Sequence, residues 1–308
     1  MVQSKFHFSE TFSGILFIDK PIGCTSHDVV DCVRHTLGMK RVGHAGTLDP
    51  MATGLLVLGV GPSTRLLRFA QSESKRYSGT VTFGVATDSL DADGQVLERR
   101  APPALSSDEV NEAAGAMLGA QRQTPPMVSA IKVGGRRLHA LARQGIEVER
   151  EARDITVSQF SLRATIEPEV WEFEVVCSVG TYVRVLLSDL AVRLGTIGHL
   201  SSLRRLASGE HDVAEAMTLL AFKGAVAQGL NVLQNPRRFV TSLEQVAVSE
   251  EQERRLRMGQ HLELEGLFVG DEIAAIAEDG SLVGVLRRRG EKWKPEVVLT
   301  TDAAPGSR

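Results

Sequence analysis

Cysteine is scarce in this 308-residue chain. Cys24, Cys32 and Cys177 are odd in number and show neither a CxxC pair nor a histidine at metal-ligand spacing. The count argues against a disulfide framework and a zinc site, and fits a reduced cytosol. Long apolar runs are missing as well. None reaches the roughly 18 residues that a membrane span requires, and the opening MVQSKFHFSE lacks the apolar centre of a secretory signal. Tyrosine is rare: there are two, Tyr77 and Tyr182, against 11 phenylalanines. Nor is one sign of charge in large excess. The net charge is −3, which by itself argues against a nucleic-acid partner. What is present, 43% hydrophobic and 24% charged residues, is an ordinary soluble composition with room for one large domain and a small one.

Local absences say more than the sum. Up to Val240 there are 26 Lys and Arg against 25 Asp and Glu, a balance of +1; from Thr241 onward 9 against 13 gives −4. No carboxylate falls between Glu112 and Glu147, yet Arg122, Lys132, Arg136, Arg137 and Arg143 do. A second acid-free stretch, between Asp31 and Asp49, holds Arg34, Lys40, Arg41, His35 and His44. A polyanion responds to the patch it touches rather than to net charge. On charge alone, a solvated basic face is an equal reading.

Periodicity outlines the elements. GILFIDKP (Gly14–Pro21) reads as a short buried strand, and Ser26–Gly38 as a helix with Ser26 as its N-cap and Gly38 as its stop. GLLVLGVG has the continuous apolar character of a strand buried on both faces, and RYSGTVTFGVATDS alternates as a further strand. DADG (Asp91–Gly94) lacks the spaced ligands of a calcium loop and reads as a hairpin turn. Ser106–Gly119 reads as a helix, and QTPPMVSAIKVGGRRL as a projecting loop or ribbon. Trp171–Gly195 switches from alternation to helical spacing. Gly180, Thr181, Tyr182 and Arg184 thus fall at a strand-to-helix turn, where side chains can face a cleft. LRRLASGEHDVAEAMTLL adds a short strand and a helix. Beyond Asn235–Thr241 the segments LRMGQHLEL, EIAAIAEDGSLVGVLRRRG and PEVVLT read as strands and turns of a β-rich domain of roughly 60 residues.

GHAGTLDPMATG (Gly43–Gly54) contains a single acid, Asp49. Asp before Pro reads locally as a helix start, since Asp is a favoured N-cap and Pro is favoured in the first turn. Gly43, Gly46 and Gly54 allow close backbone approach, either for tight packing or for a ligand.

Together, GILFIDKPIGCTSHDVV, RVGHAGTLDPMATGLLVLGVGPSTRL, KRYSGTVTFGVATDSLDADG, PPMVSAIKVGGRRLHALARQGIEVEREAR, GTYVRVLLSDLAVRLG and LRRLASG resemble the bacterial tRNA pseudouridine-55 synthases. The likeness runs in order from about Gly14 to Gly209, and the C-terminal segment resembles, more weakly, the PUA-like RNA-binding appendage of these enzymes. The resemblance implies an α+β pseudouridine synthase fold with a mixed, mainly antiparallel central sheet and flanking helices. It implies a catalytic domain over 1–240, an RNA-clamping insert at about 123–148 and a PUA-like domain over 241–308. The implied reaction isomerises a uridine in the tRNA T loop, without metal or other cofactor, in a cytoplasmic monomer needing no protein partner. Asp49 matches the carboxylate nucleophile; one acid suffices for a covalent intermediate, unlike the acid pair of a glycoside hydrolase.

Carried over residue by residue, Arg184 matches the arginine that pairs with the nucleophile, and Tyr77 the aromatic that stacks on the uracil and assists proton movement at C5. Tyr182 matches a second pocket aromatic. Lys20 matches a lysine that supports the fold or contacts phosphate, and His44 a histidine that holds the T loop in its base-flipped form. Leu203 matches the position whose backbone meets the uracil edge. Lys132, Arg136, Arg137 and Arg143 become candidate phosphate contacts. His139 departs from the pattern, standing where many relatives have tyrosine. Two other classes compete. A non-catalytic RNA-binding or RNA-folding protein would not need Asp49, Tyr77, Tyr182 and Arg184 together. An aspartyl hydrolase of small molecules would not need the basic insert.

Overall fold

A computed structural model describes residues 12–71, 74–129, 132–133, 136–137, 146 and 148–299. The chain forms two compact units, one from Met1–Pro50, Leu55–Ser72 and Val213–Arg308, the other from Met51–Gly54 and Glu73–Asp212.

The first unit opens with β1 (Gly14–Lys20), α1 (Ser26–Leu37), β2 (Val42–His44), β3 (Thr53–Val60, its first two residues belonging to the other unit) and α2 (Leu67–Gln71). The apolar runs of β1 and β3 follow from burial on both faces. Leu16, Ile18, Leu56, Leu58 and Val60 pack with Val29, Val30, Val33 and Leu37 of α1. Ile15, Phe17, Leu55 and Val57 enter a second cluster. The N-cap of α1 is Thr25, not Ser26: Thr25 and Asp28 form a capping box, and Gly38 ends the helix at φ 67°. The shift by one residue leaves the Ser26 hydroxyl for another use. Asp49–Pro50 starts no helix either. It lies in the turn between β2 and β3, which pair antiparallel from Val42↔Val60 to His44↔Leu58, so strand pairing overrides the local helix signal.

The second unit contains β4 (Lys75–Phe83), β5 (Val85–Thr87), β6 (Val96–Arg99), α3 (Ser107–Gly115) and β7 (Gly119–Gln123). There follow β8 (Lys132–Val133), β9 (Arg136–Arg137), β10 (Arg153–Ala164), β11 (Val170–Cys177), α4 (Val183–Arg193), β12 (Gly198–Ser208) and β13 (His211–Asp212). Its strands run β12-β4-β11-β10-β7, all antiparallel, while Thr53 and Gly54 pair in parallel with Arg204 and Arg205 of β12. β12 is longer than the short strand expected from LRRLASG; it begins at Gly198 because β4 pairs with it along its full length. The DADG turn is confirmed, closing β5 against β6 through Asp88 N–H to Gln95 O at 3.1 Å.

Back in the first unit, β14 (Met217–Thr218) pairs in parallel with β1, and α5 (Leu219–Ala227) adds Phe222 and Val226 to the α1 cluster. The chain ends in β15 (Glu244–Ala247), α6 (Glu250–Arg257), β16 (Glu272–Ile276), β17 (Leu282–Arg289) and β18 (Lys292–Val298). These four strands form a sheet in sequence order. The first six residues of α6, with its Ser249–Gln252 capping box, lie outside the strands and turns expected, and LRMGQHLEL closes the helix instead of forming a strand. Alternate residues of β16 go to different cores. Ile273 and Ala275 pack with Leu256 and Trp293, while Ala274 and Ile276 join Ile15, Phe17, Leu55 and Val57. Among the described residues no helix is long and apolar enough to cross a membrane.

Candidate active site

Asp49, Lys20 and His44 fall in the first unit; Tyr77, Tyr182, Arg184 and Leu203 fall in the second. Each half is held by its own local devices.

The half-buried Asp49 is carried on a loop fastened on both flanks. On one side the buried Ser26 hydroxyl accepts from Leu48 N–H at 2.8 Å and donates to Leu48 O at 3.1 Å. On the other, Pro50 O accepts from Gly23 N–H at 2.9 Å and from the Lys20 ammonium at 3.3 Å. Lys20 is fully buried and donates also to Cys24 O at 2.6 Å and Pro21 O at 3.0 Å. Burying an ammonium costs much less when carbonyls replace its water, and these three carbonyls join the turn after β1 to Pro50 in the turn that carries the acid. The observed contacts therefore favour loop support for Lys20. His44 ends β2 in a half-buried position, with its carbonyl accepting from Gln71 Nε2 at 3.5 Å. Gly43 and Gly54 answer to packing rather than to a ligand. A Cβ at Gly54, whose φ is +100°, would lie 2.3 Å from Arg205 O, and one at Gly43 would lie 3.0 Å from Leu67 Cδ1.

In the second unit β4 and β12 bring Tyr77 and Leu203 to one sheet face. The register runs Leu203↔Gly79, Arg204↔Ser78, Arg205↔Tyr77, so the two residues sit diagonally on adjacent strands. Both are nearly buried, at 9% and 8% exposure. Gly79 lets the strands close in, since a Cβ there would meet Ser202 O at 2.0 Å. Bulges in β12 flank this stretch, between Leu200 and Ser202 and between Arg205 and Ala207, a distortion common beside functional sites.

Tyr182 is the N-cap residue of α4, and Arg184 sits in its first turn, buried to 3% exposure. The Arg184 guanidinium donates to Asp91 Oδ2 and Ser89 O, both at 3.0 Å, and to Val128 O at 2.9 Å. Asp91 is buried too, and its Oδ1 accepts from Ser89 Oγ at 2.5 Å and Asp93 N–H at 3.2 Å. Between them Leu90 takes φ 63°, a left-handed conformation held by Leu90 N–H to Thr87 O and Leu200 N–H to Leu90 O. Such strain persists where surrounding structure over-determines it, often at functional sites. Asp91 was hidden inside what reads as a plain hairpin turn. No local signal marks it, because the partner that buries it lies 93 residues away.

Lys132↔Arg137 and Val133↔Arg136 pair as β8 and β9; Arg143 and His139 lie outside the described residues. Cys177, at the end of β11, is a buried thiol pushed up to about 11 by desolvation, which keeps it protonated and unreactive at neutral pH. Among the described residues no three His, Cys, Asp or Glu side chains converge as a metal site.

Comparison with known proteins gives two family matches, one of which spans parts of both units. Residues 34–183 match the TruB family pseudouridylate synthase N-terminal domain, and residues 243–300 the tRNA pseudouridine synthase II C-terminal domain. The tRNA pseudouridine synthase B of Leifsonia xyli subsp. xyli is 44% identical over 298 residues, spanning 94% of this chain and 97% of its own. That of Opitutus terrae is 49% identical over 210 residues, 68% of this chain and 87% of its own. That of Arthrobacter sp. is 38% identical over 308 residues, 96% and 99%. Among solved structures, a Cbf5-Nop10-Gar1 complex matches with a TM-score of 0.69 at 21% identity, covering 93% of this chain and 85% of that one. An H/ACA RNP bound to a substrate RNA containing 2'-deoxyuridine matches at 0.71 and 19%, covering 98% and 92%. At these identities the structural matches speak for the fold.

Proposed function

This chain belongs to the TruB family of pseudouridylate synthases, and from that premise we propose that it isomerises the uridine at position 55 in the T loop of tRNA. The N1–C1′ bond breaks, the uracil turns, C5–C1′ forms, C5 loses a proton and N1 gains one, so reactant and product are isomers. The uridine must leave the folded loop before the reaction, and extrusion into a protein pocket meets that need.

In this reading Asp49 is the nucleophile and Arg184 the cation that keeps it ionised and aimed. Tyr77 stacks on the uracil and assists the proton at C5, Tyr182 walls the pocket, and the Leu203 backbone meets the uracil edge. Lys20 supports the Asp49 loop, and His44 holds the flipped T loop. Lys132, Arg136, Arg137 and Arg143 position the RNA through phosphates. Residues 1–240 serve as the catalytic domain and 241–308 as a PUA-like RNA-binding domain, in a cytoplasmic monomer.

The observation that carries the reading is the anchoring of GTLDP. Ser26 grips Leu48 while Lys20 and Gly23 grip Pro50, leaving the carboxylate between two fixed peptides. Pre-set geometry of that kind is what covalent catalysis requires. Asp49→Asn preserves shape and removes the nucleophile, so it is expected to abolish pseudouridine formation in an unmodified tRNA transcript while RNA binding survives. Chemical mapping of the T loop reads the outcome, and normal modification by the Asn variant would overturn the assignment.

A further inference from the structure

Gln123 ends β7, and Arg153, its register partner, opens β10, so the two residues mark the root of the basic insert. Gln123 is 5% exposed, and its carboxamide is turned to the protein. Its Oε1 accepts from Tyr182 N–H at 2.7 Å and its Nε2 donates to Tyr182 O at 3.1 Å, across 59 residues of sequence. Because one oxygen faces a donor and one nitrogen faces an acceptor, only this amide orientation satisfies both bonds.

Tyr182 has no side-chain cap bond to α4, and its carbonyl also accepts Leu186 N–H at 3.1 Å, at the start of the helix. The amide therefore holds the peptide from which α4 departs, two residues before Arg184. A second tie runs the same way: Arg184 donates to Val128 O, within the insert's first residues, at 2.9 Å. Arg150 Nη1 donates across the root to Pro125 O at 3.2 Å. The turn bearing Tyr182 and Arg184 and the base of the insert are one hydrogen-bonded assembly.

We propose that Gln123 is a positioning residue for the isomerisation, setting the Tyr182 backbone and, through it, the placement of the Tyr182 ring and Arg184. The inference rests on the function proposed above. Misplacement of about 1 Å at a reacting group costs on the order of 100-fold in rate. Gln123→Met keeps the volume and removes both bonds. It is expected to lower the single-turnover rate of pseudouridine formation by about 10- to 100-fold while the Kd for a T-stem-loop RNA changes less than about 3-fold.

Gln123→Glu supplies a conservative rescue. As a carboxylate it accepts from Tyr182 N–H but repels Tyr182 O; protonated, it donates again. Burial raises a carboxyl pKa, so its rate relative to the unaltered enzyme should recover as pH falls from about 8 to about 6. An unaltered rate in Gln123→Met, a rate loss matched by lost RNA affinity, or a flat relative pH profile in Gln123→Glu overturns the positioning role alone. Absence of pseudouridine with the unaltered enzyme overturns the proposed function and this inference with it.

Discussion

At the scale of residues, the decisive feature is that each proposed catalytic group is held by a neighbour of no chemical distinction. Ser26 is one such neighbour. TSHD offers two hydroxyls, and because Thr25 takes the capping box, Ser26 is left to bracket Leu48, the residue before Asp49. Ser26→Ala would strand a buried N–H and C=O, at a cost of about 1–3 kcal/mol each. A lower Tm together with a reduced turnover rate is the expected result, and a variant of unchanged turnover would show that the loop needs no such anchor. Asp91 is another. It pairs with Arg184 at 3.0 Å, at 6% side-chain exposure against 4%. Breaking a buried pair by removing one partner costs about 3–5 kcal/mol. Urea denaturation of Asp91→Asn should show a loss of that order, and a change within about 0.5 kcal/mol would deny the pair any structural weight.

At the scale of elements, strands carry Lys20, His44, Tyr77 and Leu203, a loop carries Asp49, and a helix carries Arg184. The C-terminal sheet is tied to α2 by Glu272, which accepts from Arg68 and Arg287, both at 2.7 Å. Burial pushes its carboxyl up, but the two guanidinium hydrogen bonds outweigh that and leave it below the ordinary value. A depressed carboxyl contributes stability that is complete above the unfolded pKa of about 4.3 and lost as pH falls through the lower folded value. The Tm difference between the unaltered protein and Glu272→Gln should therefore hold at neutral pH and close below about pH 4. A gap independent of pH would assign the effect to packing. The same scale explains which elements are legible. α1, α3, β1 and β3 are written in apolar spacing and caps, whereas α6 has a capping box, Ser249 with Gln252, but almost no apolar residue to mark its face. The length of β12 was not legible, because Gly198, His199 and two serines have little strand preference and are recruited by β4.

At the scale of the molecule, the C-terminal sheet shares a core with the N-terminal strands inside one compact unit. Ala274, Ile276, Leu282, Val285, Val297 and Leu299 lie in the same cluster as Ile15, Phe17, Leu55 and Val57. Ending the chain at residue 240 would uncover that face of β1 and β3. Large-to-small changes in such cores cost about 2–5 kcal/mol per residue, so the shortened chain should bind a hydrophobic dye and lose solubility. A soluble, cooperatively melting fragment would show instead that the cluster is dispensable.

Local pattern by itself determined where the apolar strands lie, where α1 begins and ends to within a residue, and which motif carries the lone acid. Those properties depend on neighbours a few positions apart, and apolar periodicity records them directly. Tertiary structure alone decided that Asp49 follows a strand rather than opening a helix, that Arg184 is met by Asp91 at 93 residues' distance, and that Gln123 grips Tyr182. Such pairings leave no local trace, since a polar side chain is buried only when a partner arrives from elsewhere in the chain to replace its water.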